Sequence, residues 1–283
     1  MKISWLIKNS IELDYLFFKQ NNDKIYVLEF MVKKYSLLLK HAFTKFIFGK
    51  HFVWLHKNKL YYDSKYGIAG YQRALSSHKK MLHSLIDEVD SLDDKQIIVL
   101  DVGANVGYFS LVCNEVFKKP KIYAFEPIEY TYDILNKNIK SIQDIETFNM
   151  GLGDKQKTVR MSYDPEHSSL SHETENGNLE VEVITLDSFL NDKNISQIDL
   201  LKIDTETYEK NVLLGAKETL SKTKFIHMEI TLQDNDNYTI SEIFCLLRSK
   251  YFDYNLIYWR IFDNVYEGKP IAMDALFENK MIK

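Results

Sequence analysis

Two cysteines in 283 residues, Cys113 and Cys245, are too few for a disulfide framework and show no metal-knuckle spacing, which fits a reducing compartment. Proline is scarce, and no Pro-rich linker, internal repeat or low-complexity tract divides the chain; the only plausible boundary falls near residue 90. No run of about 18 uncharged apolar residues occurs, so no membrane-spanning helix is expected. The opening residues place Asn9 and Glu12 where the apolar core of a signal peptide would stand, and no small-residue cleavage site follows. The expected location is therefore cytoplasmic. What is present is ordinary for a soluble globular protein: 45% hydrophobic and 27% charged residues, enough to bury a large core.

The net charge of −4 conceals an asymmetry. Residues 1–60 carry eleven lysines against Glu12, Asp14, Asp23 and Glu29, a sum of +7, so the remainder sums to −11. A solvated lysine face on helices accounts for this, as would a surface for an anionic partner, either lipid headgroups at a membrane periphery or a phosphate-bearing substrate carrier. The aromatic, lysine-rich stretch at 35–57 lacks arginine, which argues against nucleic acid. Residues 1–90 alternate apolar and charged positions at helical spacing, as in Met81, Leu82, Leu85 and Ile86, and are expected to form a mainly helical region. It could pack on the core, form a homodimer or contact the acceptor or a membrane surface.

From about residue 91 the pattern changes. IIVLDVG (97–103), KIYAFEP (121–127), ETFNMG (146–151), IDLLKID (198–204) and KFIHMEI (224–230) are short apolar runs suited to strands buried on both faces. Helical patterns at 108–117 and 129–140 lie between several of them, which predicts βαβ units and a parallel sheet. KTVRMSY (157–163) and LEVEVITL (179–186) alternate with period two and bracket a polar loop at 164–178, a candidate lid over the acceptor. NLIYWRI (255–261) and IAMDALFE (271–278) read as a final antiparallel pair.

The first strand runs into Asp101-Val-Gly103-Ala-Asn105-Val-Gly107. Glycines after a strand let the chain turn tightly and present amides to a ligand at a helix N-terminus. A dinucleotide loop needs a middle glycine for pyrophosphate approach, and Asn105 occupies that place. The amino-acid part of S-adenosylmethionine fits better: its carboxylate would take loop amides and its ammonium would meet Asp101. Glu126, 25 residues after Asp101 at the next strand's tip, is placed to accept both ribose hydroxyls of an adenosine. No Gly-Lys-Ser/Thr follows, which excludes a P-loop.

VLDVGANVGYFS, AFEP, NMGLGD and IDLLKIDTETYEKNVLLGAKETL together resemble the FkbM family of S-adenosylmethionine-dependent methyltransferases over roughly residues 95–230. The resemblance implies a class I methyltransferase fold, α/β and Rossmann-like: a seven-stranded, mostly parallel sheet, helices on both faces and an antiparallel last strand, spanning 91–283. It implies a cofactor site drawn from Asp101, Gly103, Asn105, Gly107, Tyr108, Phe109, Glu126, Pro127, Asn149, Met150, Gly151 and Asp204. It favours O-methylation of a sugar or similar polar small molecule, on which reading the basic N-terminal region would suit a nucleotide- or lipid-linked sugar. The family usually has glycine where this chain has Thr207; if the backbone there has φ > 0, threonine is strained.

LLKIDTETYE (200–209) places Lys202, Asp204, Glu206 and Glu209 at the end of a buried strand, with Glu229 at the next strand's tip. Ligands of parallel α/β sheets sit beyond the carboxyl ends of the strands, so these carboxylates are candidates for the general base that takes a proton from an acceptor hydroxyl. Asp204 ranks first, then Glu206 and Glu229, with Lys202 fixing Asp204 and His227 as an outside candidate. The plain alternatives are a structural Lys202–Asp204 ion pair, a capping or solvated Glu209 and a satisfied strand histidine. Mg²⁺ or Ca²⁺ would suit a carboxylate-rich tip, but no spacing demands a metal and no metal ligand is assigned. The competing functions are a non-catalytic S-adenosylmethionine-binding scaffold and, against Asn105, a nicotinamide-dependent oxidoreductase.

Overall fold

The computed structural model describes residues 96–282 except 164–171, 175–176, 192, 194, 233–236, 262–264, 267–268 and 271. N-terminal to these it describes 52–55, 58–61, 78, 81, 82 and 85. Most of the basic N-terminal region and the tip of the candidate lid therefore lie outside the described residues.

One part of the region expected to be helical is not: β1 (Phe52–Leu55) and β2 (Asn58–Tyr61) pair as an antiparallel hairpin. FVWL and KLY are rich in aromatic and β-branched side chains, which favour a pleated surface over a helix. His78, Met81, Leu82 and Leu85 are helical, as their spacing predicts. Met81, Leu82 and Leu85 are buried in one cluster with Val99, Phe109 and Phe225, so the core takes in residues before 90.

The buried apolar runs form the centre of the main sheet: β3 (Ile97–Val102), β4 (Pro120–Phe125), β5 (Ile145–Phe148), β10 (Ile198–Ile203) and β11 (Thr223–Thr231). They pair in parallel, with β3 between β4 and β10. The final pair is β13 (Phe252–Ile261) and β16 (Ala272–Asn279). β16 lies antiparallel between β11 and β13, so β13 points the same way as the parallel strands. The sheet therefore has the seven strands and single inverted strand of a class I methyltransferase, plus an eighth, the two-residue edge strand β12 (Arg248–Ser249), which the sequence does not announce.

Helices cover both faces. On one side are α1 (Tyr108–Val116), α2 (Glu129–Ile139) and the segment around Leu82; on the other are α3 (Leu186–Leu190), α4 (Glu209–Leu214), α5 (Lys217–Lys222) and α6 (Ile240–Leu247). α6 is closed by a capping box: Thr239 accepts from the Glu242 amide and Glu242 accepts from the Thr239 amide.

A second, four-stranded sheet joins β6 (Gly151–Leu152), β7 (Lys157–Ser162), β8 (His172–Glu173) and β9 (Leu179–Ile184). β7 and β9 form the expected antiparallel pair, sealed by Val159, Val181 and Val183. Two-residue strands β14 (Val265–Tyr266) and β15 (Lys269–Pro270) pair with each other.

Candidate active site

The turn after β3 is glycine-dependent at two points. Gly103 has φ 73, and a Cβ there would lie 1.9 Å from the Asp204 carbonyl oxygen, because the ends of β3 and β10 pass in near contact. Gly107, at φ 91, leads into α1. Asn105 also takes a left-handed conformation, φ 50, which asparagine tolerates better than most residues. Its side-chain oxygen accepts from the Val106 amide at 2.8 Å.

Glu126, almost fully buried at the tip of β4, reads this turn directly. One carboxylate oxygen accepts from the Asn105 amide at 2.9 Å, the other from the Ile128 amide at 3.0 Å. Each oxygen keeps a lone pair for a further donor. Burial raises its pKa to about 7 against the pull of those two amides. The Asn149 side chain donates to the carbonyls of Glu126 and Pro127, at 3.0 and 2.9 Å, and so fixes the loop beyond the acid.

Beneath the turn lies a chain of charge. Asp101, Lys202 and His227 occupy one register row of β3, β10 and β11, hence one face of the sheet. Lys202 Nζ is 3.2 Å from Asp101 and 3.4 Å from Asp204, and donates to the Gly103 carbonyl at 2.6 Å. Burial alone would depress the ammonium's pKa, but the two carboxylates outweigh it and raise it. The ion-pair reading of Lys202 and Asp204 is therefore met, with Asp101 as a second partner.

Three predicted site residues are buried in this arrangement. Asp101 has no exposed surface, accepts from Ser110 Oγ at 2.6 Å and pairs with Lys202, so it ties β10 to the start of α1. Phe109 is buried, its ring stacked on His227 with centroids 5.7 Å apart, so it lines the core and not a cofactor surface. His227 is 2% exposed and bonded through Nε2 to Asp274 at 3.1 Å, a buried strand histidine with one ring nitrogen paired and Nδ1 without a hydrogen-bond partner.

The carboxylates expected at the strand tips do come together. Asp204, Glu206 and Glu229 are all half-buried. Burial, then the charges of Asp204 and Glu209, raises Glu206 to about 8. Burial, then Asp204, Glu206 and Asp274, raises Glu229 well above the carboxylate range. Glu209 is buried and not solvated: it caps the turn, accepting from the Thr205 amide at 2.9 Å. The turn between is unusual, for Glu206 (φ 51) and Thr207 (φ 74) are both left-handed. Thr207 thus adopts the conformation for which glycine is suited, with its hydroxyl accepting from Asn237 at 2.9 Å.

Two residues here escape sequence reasoning. Asp274, on the inverted strand, sits opposite Glu229. His78 packs edge-on against Phe109 and His227, with centroids 5.2 Å apart in both cases. Burial, then His227, lowers the His78 pKa to about 3, so the ring is neutral. Their partners lie too far along the chain for local spacing to reveal. The second sheet reaches the same place: Lys157 Nζ lies 5.4 Å from the centre of the Tyr208 ring, on the turn after β10.

A parallel sheet whose first two tips form a glycine turn and a buried acid, with carboxylates crowding the fourth and fifth, is a class I methyltransferase architecture. The Methyltransferase FkbM domain matches residues 101–254, more than half of the chain, and the chain belongs to that family. It is 28% identical over 191 residues to the AMB antimetabolite synthetase AmbE of Pseudomonas aeruginosa, covering 51% of this chain and 9% of that protein. It is 24% identical over 160 residues to hexuronic acid methyltransferase AglP of Haloferax volcanii, covering 56% of this chain and 64% of that one. To 2-O-methyltransferase NoeI of Sinorhizobium fredii it is 24% identical over 189 residues, covering 59% and 74%. Of AmbE and AglP the matched part spans less than two thirds of the length. Among the described residues no helix is long and apolar enough to cross a membrane.

Proposed function

We propose that the chain is an S-adenosylmethionine-dependent O-methyltransferase acting on a hydroxyl of a sugar or similar polar small molecule. The observation that carries this is the junction of the Gly103–Gly107 turn with the carboxylates Asp204, Glu206 and Glu229 at adjoining strand tips. AglP, a hexuronic acid methyltransferase, supports the sugar class, and NoeI, a 2-O-methyltransferase, supports transfer to oxygen.

The turn suits the cofactor, since Glu126 retains lone pairs for ribose hydroxyls. Gly103, Asn105, Gly107 and Glu126 would hold it, with Pro127, Asn149, Met150 and Gly151 shaping the adjoining loop and Tyr108 opening α1. The bound sulfonium supplies an electrophilic methyl group. The protein then has two tasks, to align the acceptor oxygen and to take its proton. Lys202 fixes the rotamer of Asp204, the first candidate to accept the hydroxyl's hydrogen bond and take its one proton, with Glu206 and Glu229 as the alternatives. A carboxylate whose pKa is raised toward neutrality is a stronger base when ionised than an ordinary one. The basic segment 1–60 suits the phosphate of a nucleotide- or lipid-linked sugar.

The test is calorimetric titration of the full chain with S-adenosylhomocysteine, followed by transfer of labelled methyl to nucleotide sugars. Micromolar binding that weakens in Glu126→Ala, with label appearing on a sugar and disappearing in Asp204→Asn, is expected. Failure of the wild type to bind S-adenosylhomocysteine would overturn the cofactor assignment. Binding with no label on any hydroxyl acceptor would instead leave a cofactor-binding scaffold.

A further inference from the structure

We infer that His78, His227 and Asp274 form a binding site for one divalent first-row transition metal, separate from the carboxylates that serve methyl transfer. One ligand atom from each residue lies within 4.8 Å of the others. Tetrahedral ligands about 2.1 Å from one ion lie about 3.4 Å apart, so side-chain rotation must draw the three atoms together by at most about 1.4 Å to close the set around it.

Two further observations bear on the ligand set. Nδ1 of His78 is buried without a hydrogen-bond partner and is open to an ion. His227 meets Asp274 through Nε2, so an ion shared by those two takes Nε2 in place of that 3.1 Å hydrogen bond, and Nδ1 of His227 stays outside it. The rings are also oriented from outside the triad. Phe109 packs against both, stacked on His227 and edge-on to His78.

The donor set selects the ion. Two imidazoles and one carboxylate suit Zn²⁺, Co²⁺, Mn²⁺ or Fe²⁺, whereas Mg²⁺ and Ca²⁺ prefer oxygen ligands throughout. The surrounding charge allows it. Lys202, the ammonium facing His78, is neutralised by Asp101 and Asp204. Arg260 stands opposite Asp274 on β13, and Glu229 stands opposite it on β11.

The consequence is architectural. His227 and Asp274 belong to adjoining strands, while His78 comes from the helical segment N-terminal to the sheet. One ion would fasten that segment against Phe109, the second residue of α1, behind the Gly103–Gly107 turn. The site does not depend on the methyltransferase reading, and its test reads metal alone.

Untagged full-length chain, stripped with a chelator, is titrated with Co²⁺ and followed by visible absorption. One Co²⁺ per chain is expected, with d–d bands that Zn²⁺ abolishes and excess Mg²⁺ leaves intact. His78→Ala and Asp274→Asn should each weaken binding by tenfold or more (on the order of the effect of losing even an outer-shell partner), while His172→Ala should not. Paramagnetically shifted ring protons in the Co²⁺-loaded wild type should arise from two histidines, which locates the ion even where a variant fails to fold. Absence of bands in the wild type, shifted protons from fewer than two rings, or displacement of Co²⁺ by Mg²⁺ would each overturn the assignment.

Discussion

The Lys202 ammonium donates to the Gly103 carbonyl at 2.6 Å, joining two residues 99 positions apart and so tying the glycine turn to the strand that ends in Asp204. Lys202 is 4% exposed and Asp101 fully buried. Replacing Lys202 by Met leaves Asp101 buried without its counter-ion, a change that costs about 3–5 kcal/mol. Denaturant titration should show that loss, and S-adenosylhomocysteine binding should fall with it. Adding Asp101→Asn removes the orphan charge while keeping an acceptor for Ser110, so much of the stability should return without the affinity. A Lys202→Met variant within about 1 kcal/mol of wild type, the range of a solvated pair, would contradict the buried network.

Much of this was legible in the chain because the informative residues are local. IIVLDV and IDLLKI are apolar enough to be read as strands buried on both faces, and a parallel sheet places Glu126 and Asp204 at the tips on either side of β3. What stayed hidden depends on partners remote in sequence. His227 looks like a base until Asp274, 47 residues on, is seen to hold it. Phe109 looks like a cofactor contact until His227 and His78 are found against its ring. Asp101 likewise shows as a ligand residue by motif, and only the parallel pairing of β3 with β10 reveals Lys202 beside it. The β1–β2 hairpin was missed for another reason: its lysines and aromatics satisfy a helical period as readily as an alternating one.

Thr207 is a threonine in a glycine conformation, φ 74, with strain of about 1–3 kcal/mol. Its hydroxyl recovers part of this through the exposed bond from Asn237. Glycine relieves the strain but loses about 0.5–1 kcal/mol to unfolded-chain freedom. Thr207→Gly should therefore raise unfolding stability by about 1 kcal/mol, the middle of the roughly 0–2.5 kcal/mol left between those two effects. Asn237→Ala should lower it by less than that. A destabilised Thr207→Gly in urea titration would mean that the hydroxyl's bond outweighs the backbone strain.

Glu206 predicts a pH dependence with a definite sign. Its folded pKa, about 8, exceeds the ordinary 4.5, so between these values the folded chain holds a proton that the unfolded chain has lost. Its contribution to stability therefore falls as pH rises from 4.5 to about 8 and is level above. His78, lowered from 6.5 to about 3, acts oppositely, raising stability as pH climbs through that lower window. The two separate above pH 6.5. Glu206→Gln should be more stable than wild type at pH 9 and nearly equal to it at pH 4, measured by thermal unfolding. If Glu206 is the base, kcat/KM of the wild type should also rise with a midpoint near 8, and Glu206→Gln, which cannot take a proton, should lose that rise. Equal stability differences at both pH values would remove Glu206 from the buried cluster.

The two glycines of the turn should differ in what they tolerate, although both have positive φ. At Gly103 a methyl group would meet the Asp204 carbonyl oxygen at 1.9 Å, and neither strand end can retreat without breaking the bond from the Asp204 amide to the Val102 carbonyl. At Gly107 the nearest atom is Leu135 Cδ1 at 2.7 Å, the far end of a side chain that can rotate away. Gly103→Ala should cost about 3 kcal/mol or more, at the upper end for single substitutions, and abolish S-adenosylhomocysteine binding. Gly107→Ala should cost roughly the 1–2 kcal/mol of a strained left-handed residue and weaken binding only in part. Urea titration and calorimetry on both variants give the order. Were Gly107→Ala the worse of the two, the α1 entry, and not the contact between β3 and β10, would be the element that shapes the cofactor turn.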